Sequence, residues 1–185
     1  MKLNLEIKES SSPAWLECVM NDFDSFLQDH ADCERKASAM AMSFVAKYPD
    51  RTEIIPELIE TGIEELEHFQ QVYLLMQSRG IALKPSMGED LYAKRLIKQC
   101  HSGREERFMD RLLIASALET RGAERFKLIA DALEDEEISE AKHGHIFVKM
   151  ALNYFPEDQV YERLDWWMSR EAEVISGLEL RPALH

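Results

Sequence analysis

Along most of the chain, apolar positions recur every three or four residues, the spacing that gathers side chains on one face of an α-helix. Strict alternation nowhere runs long enough to demand a strand. After Ser10-Ser11-Ser12-Pro13, Ser12 suits a helix cap and Pro13 the first helical position, so a short helix is predicted over 13–19. Asn21 reads as a second cap, opening a helix over 21–48 that Pro49-Asp50 stops. The next runs over 51–79, with Pro56 kinking it or delaying its start and Gly80 just past its end. Residues 81–103 form a crossover, with Pro85 and Gly88 in loop and a short helix over 89–100. A long helix over 104–132 follows Gly103. The acidic run Glu134-Asp135-Glu136-Glu137 suits the positive end of a helix over 135–154, and a last helix spans 157–178.

The predicted fold is therefore all-α, in a single domain covering 1–185. Four bundle helices (21–48, 51–79, 104–132, 135–154) are joined by one long crossover, the topology of a ferritin-like four-helix bundle. The helices at 13–19, 89–100 and 157–178 are accessory.

Composition narrows the function. With a net charge of −13 and pI near 4.9, the chain needs a local basic patch to hold a polyanion. Three Cys without a Cys-x-x-Cys pair argue against a disulfide framework, a zinc ribbon or a rubredoxin-like site. The absence of an apolar stretch of signal or membrane-span length predicts a cytoplasmic protein.

The candidate chemistry is a set of carboxylates and imidazoles. Glu65-Leu66-Glu67-His68 and Glu140-Ala141-Lys142-His143 each contain Glu-x-x-His, which presents both groups on one helix face. With 24 Glu and six His in 185 residues, chance alone supplies about one such match, so placement must discriminate. The motifs fall on the second and fourth bundle helices. On the first, Glu34 interrupts a stripe of Phe23, Leu27, His30, Ala37, Ala41, Val45 and Tyr48. On the third, Glu119 interrupts Phe108, Leu112, Ala115, Gly122, Phe126 and Leu133. A carboxylate within such a stripe is costly unless paired or bound to metal. Taken singly, each residue is more often a partner of a buried Arg or a satisfied core histidine. Antiparallel helices, however, bring all six to one layer. Four carboxylates and two imidazoles are the donor set of a di-iron or di-manganese carboxylate centre.

The stretches Asp32-Cys33-Glu34-Arg35-Lys36, Glu64-Glu65-Leu66-Glu67-His68-Phe69, Glu119-Thr120-Arg121-Gly122-Ala123-Glu124-Arg125-Phe126 and Glu140-Ala141-Lys142-His143 carry a resemblance. The chain resembles the bacterial tRNA hydroxylases that act on 2-methylthio-isopentenyladenosine beside the anticodon, from Ser12 to about Glu171. The resemblance implies an oxygen-dependent di-iron monooxygenase that hydroxylates the isopentenyl side chain. It implies metal ligands Glu34, Glu65, His68, Glu119, Glu140 and His143, two iron ions, dioxygen as co-substrate, and tRNA as partner. No flavin, nicotinamide or cluster motif is present, so electrons come from an external reductase. The expected assembly is a monomer or small oligomer, away from membranes. The alternatives are a ferritin-like iron-oxidising or storage protein and a stand-alone rubrerythrin-like peroxidase.

Between 94 and 111, Lys94, Arg95, Lys98, Arg104, Arg107 and Arg111 outnumber three acidic residues. They form either a solvated helix face with local ion pairs or a footprint for the tRNA backbone. Of Trp166-Trp167, at least one is expected to anchor the last helix, the alternative being stacking on a flipped base. His30, one turn before Glu34, is either its neighbour behind the metal or a core or rim histidine. His145 is expected at the surface and Cys33 as a small buried residue.

Overall fold

The computed structural model describes residues 5–85, 89–133 and 144–184, in which there are seven α-helices and no strand. Two compact units divide the chain: residues up to Leu16 with Glu89–Leu180, and Glu17–Gly88 with Arg181–Leu184. Helix α1 (Pro13–Asn21) begins in the first and ends in the second.

The second unit is a hairpin of α2 (Phe23–Lys47) and α3 (Ile55–Ser78). Asp22, rather than the expected Asn21, caps α2, its carboxylate accepting from the Ser25 N–H at 3.2 Å. Asn21 is instead the last residue of α1. Helix α3 starts at Ile55, four residues later than expected, because Pro56 lacks an N–H and fits only the first turn. Its end is a Schellman motif. Gly80 takes φ 72°, its N–H reaches the Gln77 carbonyl at 3.1 Å, and the Ile81 N–H reaches that of Met76 at 2.9 Å. Ile81 then packs on Leu27, Ala31, Val72 and Met76, so the turn is tied to the hairpin core. Lower down, the Ser38 hydroxyl donates to the Gly62 carbonyl at 2.7 Å. A Cβ at Gly62 would stand 3.0 Å from Met42 Cε, so the end of the Met42 side chain would have to shift to admit one. The returning segment Arg181–Leu184 packs on α2, where the Leu184 N–H reaches Asp29 Oδ2 at 2.9 Å.

The first unit holds α4 (Leu91–Ile97), α5 (Arg104–Leu133), α6 (Gly144–Leu152) and α7 (Glu157–Ser176). Asp90 caps α4, accepting from the Ala93 N–H, and α4 is shorter than the expected 89–100. The acidic run 134–137, Gly88 and the expected start of the fourth bundle helix lie outside the described residues.

Two buried polar clusters knit this unit. Trp167, fully buried, donates from Nε1 to Asp110 Oδ1 at 3.0 Å, as expected of an anchoring tryptophan. Arg163 Nε donates to the same oxygen at 2.6 Å, and the His101 N–H to Oδ2 at 2.8 Å. Burial alone would push the Asp110 carboxyl up, but these three donors outweigh it and hold it below its ordinary value. A depressed folded value means the stabilisation is complete above the ordinary value of 3.8 and is lost as pH falls below it. Urea titrations between pH 6 and 2 are expected to show a shallower acid loss of stability in Asp110→Asn than in the parent. Identical slopes would contradict this.

The second cluster centres on Arg121, also fully buried. Its Nε and Nη2 reach the two oxygens of Glu171 at 2.7 and 3.0 Å, and Nη2 also reaches the Glu9 carbonyl at 2.7 Å. The Tyr92 hydroxyl donates to Glu171 Oε1 at 2.8 Å. The cluster thus joins α4, α5, α7 and the segment before α1.

Candidate metal centre

Glu34 lies on the inward stripe of α2, and only 4% of it is exposed. Glu65 and His68, three residues apart on α3, share the face turned to it. One donor atom from each of Glu34, Glu65 and His68 lies within 4.8 Å of the others. His68 Nδ1 is 3.5 Å from Glu34 Oε2 and 3.9 Å from Glu65 Oε2. On the other side of the carboxylate, His30 Nε2 stands 2.8 Å from Glu34 Oε1.

Burial pushes the Glu34 carboxyl up, but the imidazoles of His30 and His68 more than offset this and leave it well below the usual carboxylate range. Glu34 is therefore held as an anion, ready to ligate. Its Oε2 is buried without a hydrogen-bond partner among the described residues. A buried acceptor in that condition is costly unless something else satisfies it. Two buried carboxylates, one orphan oxygen and an imidazole fit a divalent cation that takes oxygen and nitrogen donors.

The other expected ligands belong to the first unit. Glu119 sits on α5, partly buried, one turn before Gly122. A Cβ at Gly122 would meet nothing within 4 Å among the described residues. Glu140 and His143 lie outside the described residues.

The six expected RNA-contacting residues are all in the first unit, and several are engaged locally. Lys94 pairs with Glu89, and Arg104 with Glu105. Arg95 donates to the Gly177 carbonyl at the end of α7, and Arg107 to the His101 carbonyl. Lys98 is exposed, and Arg111 is half-buried. Trp166 is 36% exposed, with the Arg163 guanidinium 4.0 Å from its ring centre and that of Arg170 at 5.6 Å. His145, expected at the surface, is half-buried, because the helix carrying it packs on α5. Cys33 is also only partly buried, and its Sγ lies 3.7 Å from Asp29 Oδ2. Sequence reasoning missed the Arg121–Glu171 pair. The available signal was Arg121 and Arg125 one turn apart beside the apolar stripe of α5, with Glu171 in that of α7.

Comparison with known proteins identifies the fold and the family. A solved structure, protein 43 with aldehyde deformylating oxygenase activity from Synechococcus, superposes with a TM-score of 0.89 at 29% identity, covering 97% of this chain and 94% of that one. The fold is the all-α, ferritin-like class. A tRNA 2-(methylsulfanyl)-N(6)-isopentenyladenosine(37) hydroxylase of Pseudomonas putida is 31% identical over 181 residues, 93% of this chain and 87% of its own length. Its namesake from Salmonella typhimurium is 29% identical over 132 residues, 66% of this chain and 48% of its own. The family described as tRNA-(MS[2]IO[6]A)-hydroxylase (MiaE) matches residues 3–185. Matched over nearly its whole length, the chain belongs to that hydroxylase family.

Proposed function

We propose that this chain is a di-iron monooxygenase that hydroxylates the isopentenyl side chain of 2-methylthio-isopentenyladenosine in tRNA. The observation that carries the reading is the family match over residues 3–185, made chemically specific by the Glu34–Glu65–His68 group, whose two carboxylates are buried. In this proposal Glu34, Glu65 and His68 join Glu119, Glu140 and His143 in one centre, with the two units forming a single domain. Four carboxylates balance the charge of two divalent irons. When bound, the irons supply the redox chemistry by which one atom of dioxygen enters a C–H bond and the other leaves as water. That balance requires two electrons and two protons. The electrons come from an external reductase, consistent with a chain that has no flavin, nicotinamide or cluster motif.

The protein's own residues prepare the site. Glu34 and Glu65 present buried carboxylate oxygens, and His68 a nitrogen donor, on facing sides of a helix pair. Gly122, about one turn from Glu119, leaves space beside it among the described residues that a methyl-bearing side chain or dioxygen would use. We assign Lys94, Arg95, Lys98, Arg104, Arg107 and Arg111 to the tRNA backbone. The enzyme works in the cytoplasm as a monomer or small oligomer.

Reversing Lys94 and Lys98 to Glu leaves the Arg95–Gly177 bond in place. It is expected to weaken tRNA binding at least about tenfold and to flatten its salt dependence, with iron content unchanged. Undiminished binding, read by filter retention across a salt series, would remove these residues from the interface.

Mass spectrometry of nucleosides from tRNA of cells with and without the gene tests the reading. Loss of the hydroxylated nucleoside and accumulation of its precursor are expected. No change would overturn the tRNA reading and bring forward the iron-handling and peroxidase alternatives.

A further inference from the structure

We infer that His30 is a positioning residue for the metal centre, fixing the Glu34 carboxylate so that one oxygen is occupied and the other is presented to metal. The inference rests on the metal-centre reading above. His30 lies one turn before Glu34 on α2, so both project from the same face. It is 8% exposed, and the Phe26 ring one turn earlier stands 6.0 Å away between centroids. The imidazole is thereby confined, with Nε2 2.8 Å from Glu34 Oε1.

The two oxygens of Glu34 have different surroundings. Oε1 has His30 Nε2 at 2.8 Å, while Oε2 faces His68 at 3.5 Å and is the oxygen without a hydrogen-bond partner among the described residues. The 2.8 Å contact of His30 Nε2 with Oε1 restrains the carboxylate rotamer and occupies that side of the group. Metal then meets an oriented single-oxygen donor. Partners of this kind, one layer behind the ligands, commonly change metal affinity 10- to 100-fold, about the range expected for His30.

The test uses the full chain, apo, titrated anaerobically with Co(II) and followed by its visible ligand-field absorption. The variants are His30→Leu, which removes the donor, and His30→Gln, whose side-chain amide carries an N–H at a similar reach. His30→Leu is expected to bind the first cobalt about 10- to 100-fold more weakly and with shifted bands. His30→Gln is expected to recover affinity to within a few fold and to restore the band positions. Melting of the metal-free proteins separates this from a packing effect, which would lower the melting temperatures of both variants together and give no rescue by Gln.

Parent-like affinity and bands in His30→Leu would overturn the role of His30 alone. So would equal losses in both variants. Failure of the unaltered chain to bind cobalt would overturn the metal-centre reading, and this inference with it.

Discussion

Replacing Glu34 with alanine is expected to strip metal from the α2–α3 group and reduce hydroxylation by at least about 100-fold. Glu34 is the hub of the group. His30 meets one of its oxygens at 2.8 Å, His68 lies 3.5 Å from the other, and the carboxylate is held anionic despite burial. Alanine removes a donor and leaves two imidazoles without their shared acceptor. Neither effect should unfold the hairpin, which is held by Phe26, Leu27, Ala31, Val72 and Met76 and by the Ser38–Gly62 hydrogen bond. Iron per chain should therefore fall about tenfold or more while far-ultraviolet circular dichroism stays helical. The more conservative Glu34→Asp withdraws the carboxylate by about one methylene, beyond the roughly 0.5 Å tolerance of a preorganised site, and should retain only a fraction of the iron. Parent-like iron and activity in Glu34→Ala would contradict the assignment.

The largest loss of stability is expected from Glu171→Ala. Arg121 and Glu171 are both fully buried and joined by two hydrogen bonds, and Tyr92 adds a third to the carboxylate. Burial works against the Arg121 charge, and the bonds to Glu171 more than compensate, raising the guanidinium above its ordinary value. Removing Glu171 leaves that cation buried with, among the described residues, Glu124 at 3.1 Å and neutral partners. Breaking one side of such a pair costs about 3–5 kcal/mol, a large part of a domain's usual 5–15 kcal/mol. The double variant Arg121→Met with Glu171→Met should lose less than Glu171→Ala alone, because no buried charge is stranded. Urea unfolding of the metal-free proteins measures both. A loss below about 1 kcal/mol in Glu171→Ala would contradict the account of the pair.

Local chemistry was the most legible part of this sequence. Gly80 marked the end of α3 because only a residue tolerant of positive φ closes that motif without strain. Pro56 marked a disturbed start but not its register, since the first turn accepts proline at several positions. Asn21 and Asp22 are both good caps, and only the preceding helix decides between them. The Glu65–His68 spacing was readable because three residues on a helix share a face. The partnership of Arg121 and Glu171, 50 residues apart, leaves no periodic trace, so neither could be paired before α5 and α7 were seen to pack. His30 was visible as a neighbour of Glu34 in sequence. The oxygen it approaches depends on side-chain rotamers that no spacing encodes. The basic stretch 94–111 overstated the free positive charge, because Lys94, Arg95, Arg104 and Arg107 have local acceptors.

The central claim, oxygen-dependent hydroxylation of a tRNA nucleoside, is tested most directly with isotopic dioxygen. Iron-loaded full-length protein is supplied with a chemical reductant, ¹⁸O₂ and tRNA carrying the unhydroxylated 2-methylthio-isopentenyl nucleoside, and the digested nucleosides are weighed by mass spectrometry. The account predicts one ¹⁸O atom in the isopentenyl side chain, absent with Glu34→Ala. An unmodified nucleoside, or a hydroxyl oxygen drawn from water, would contradict it.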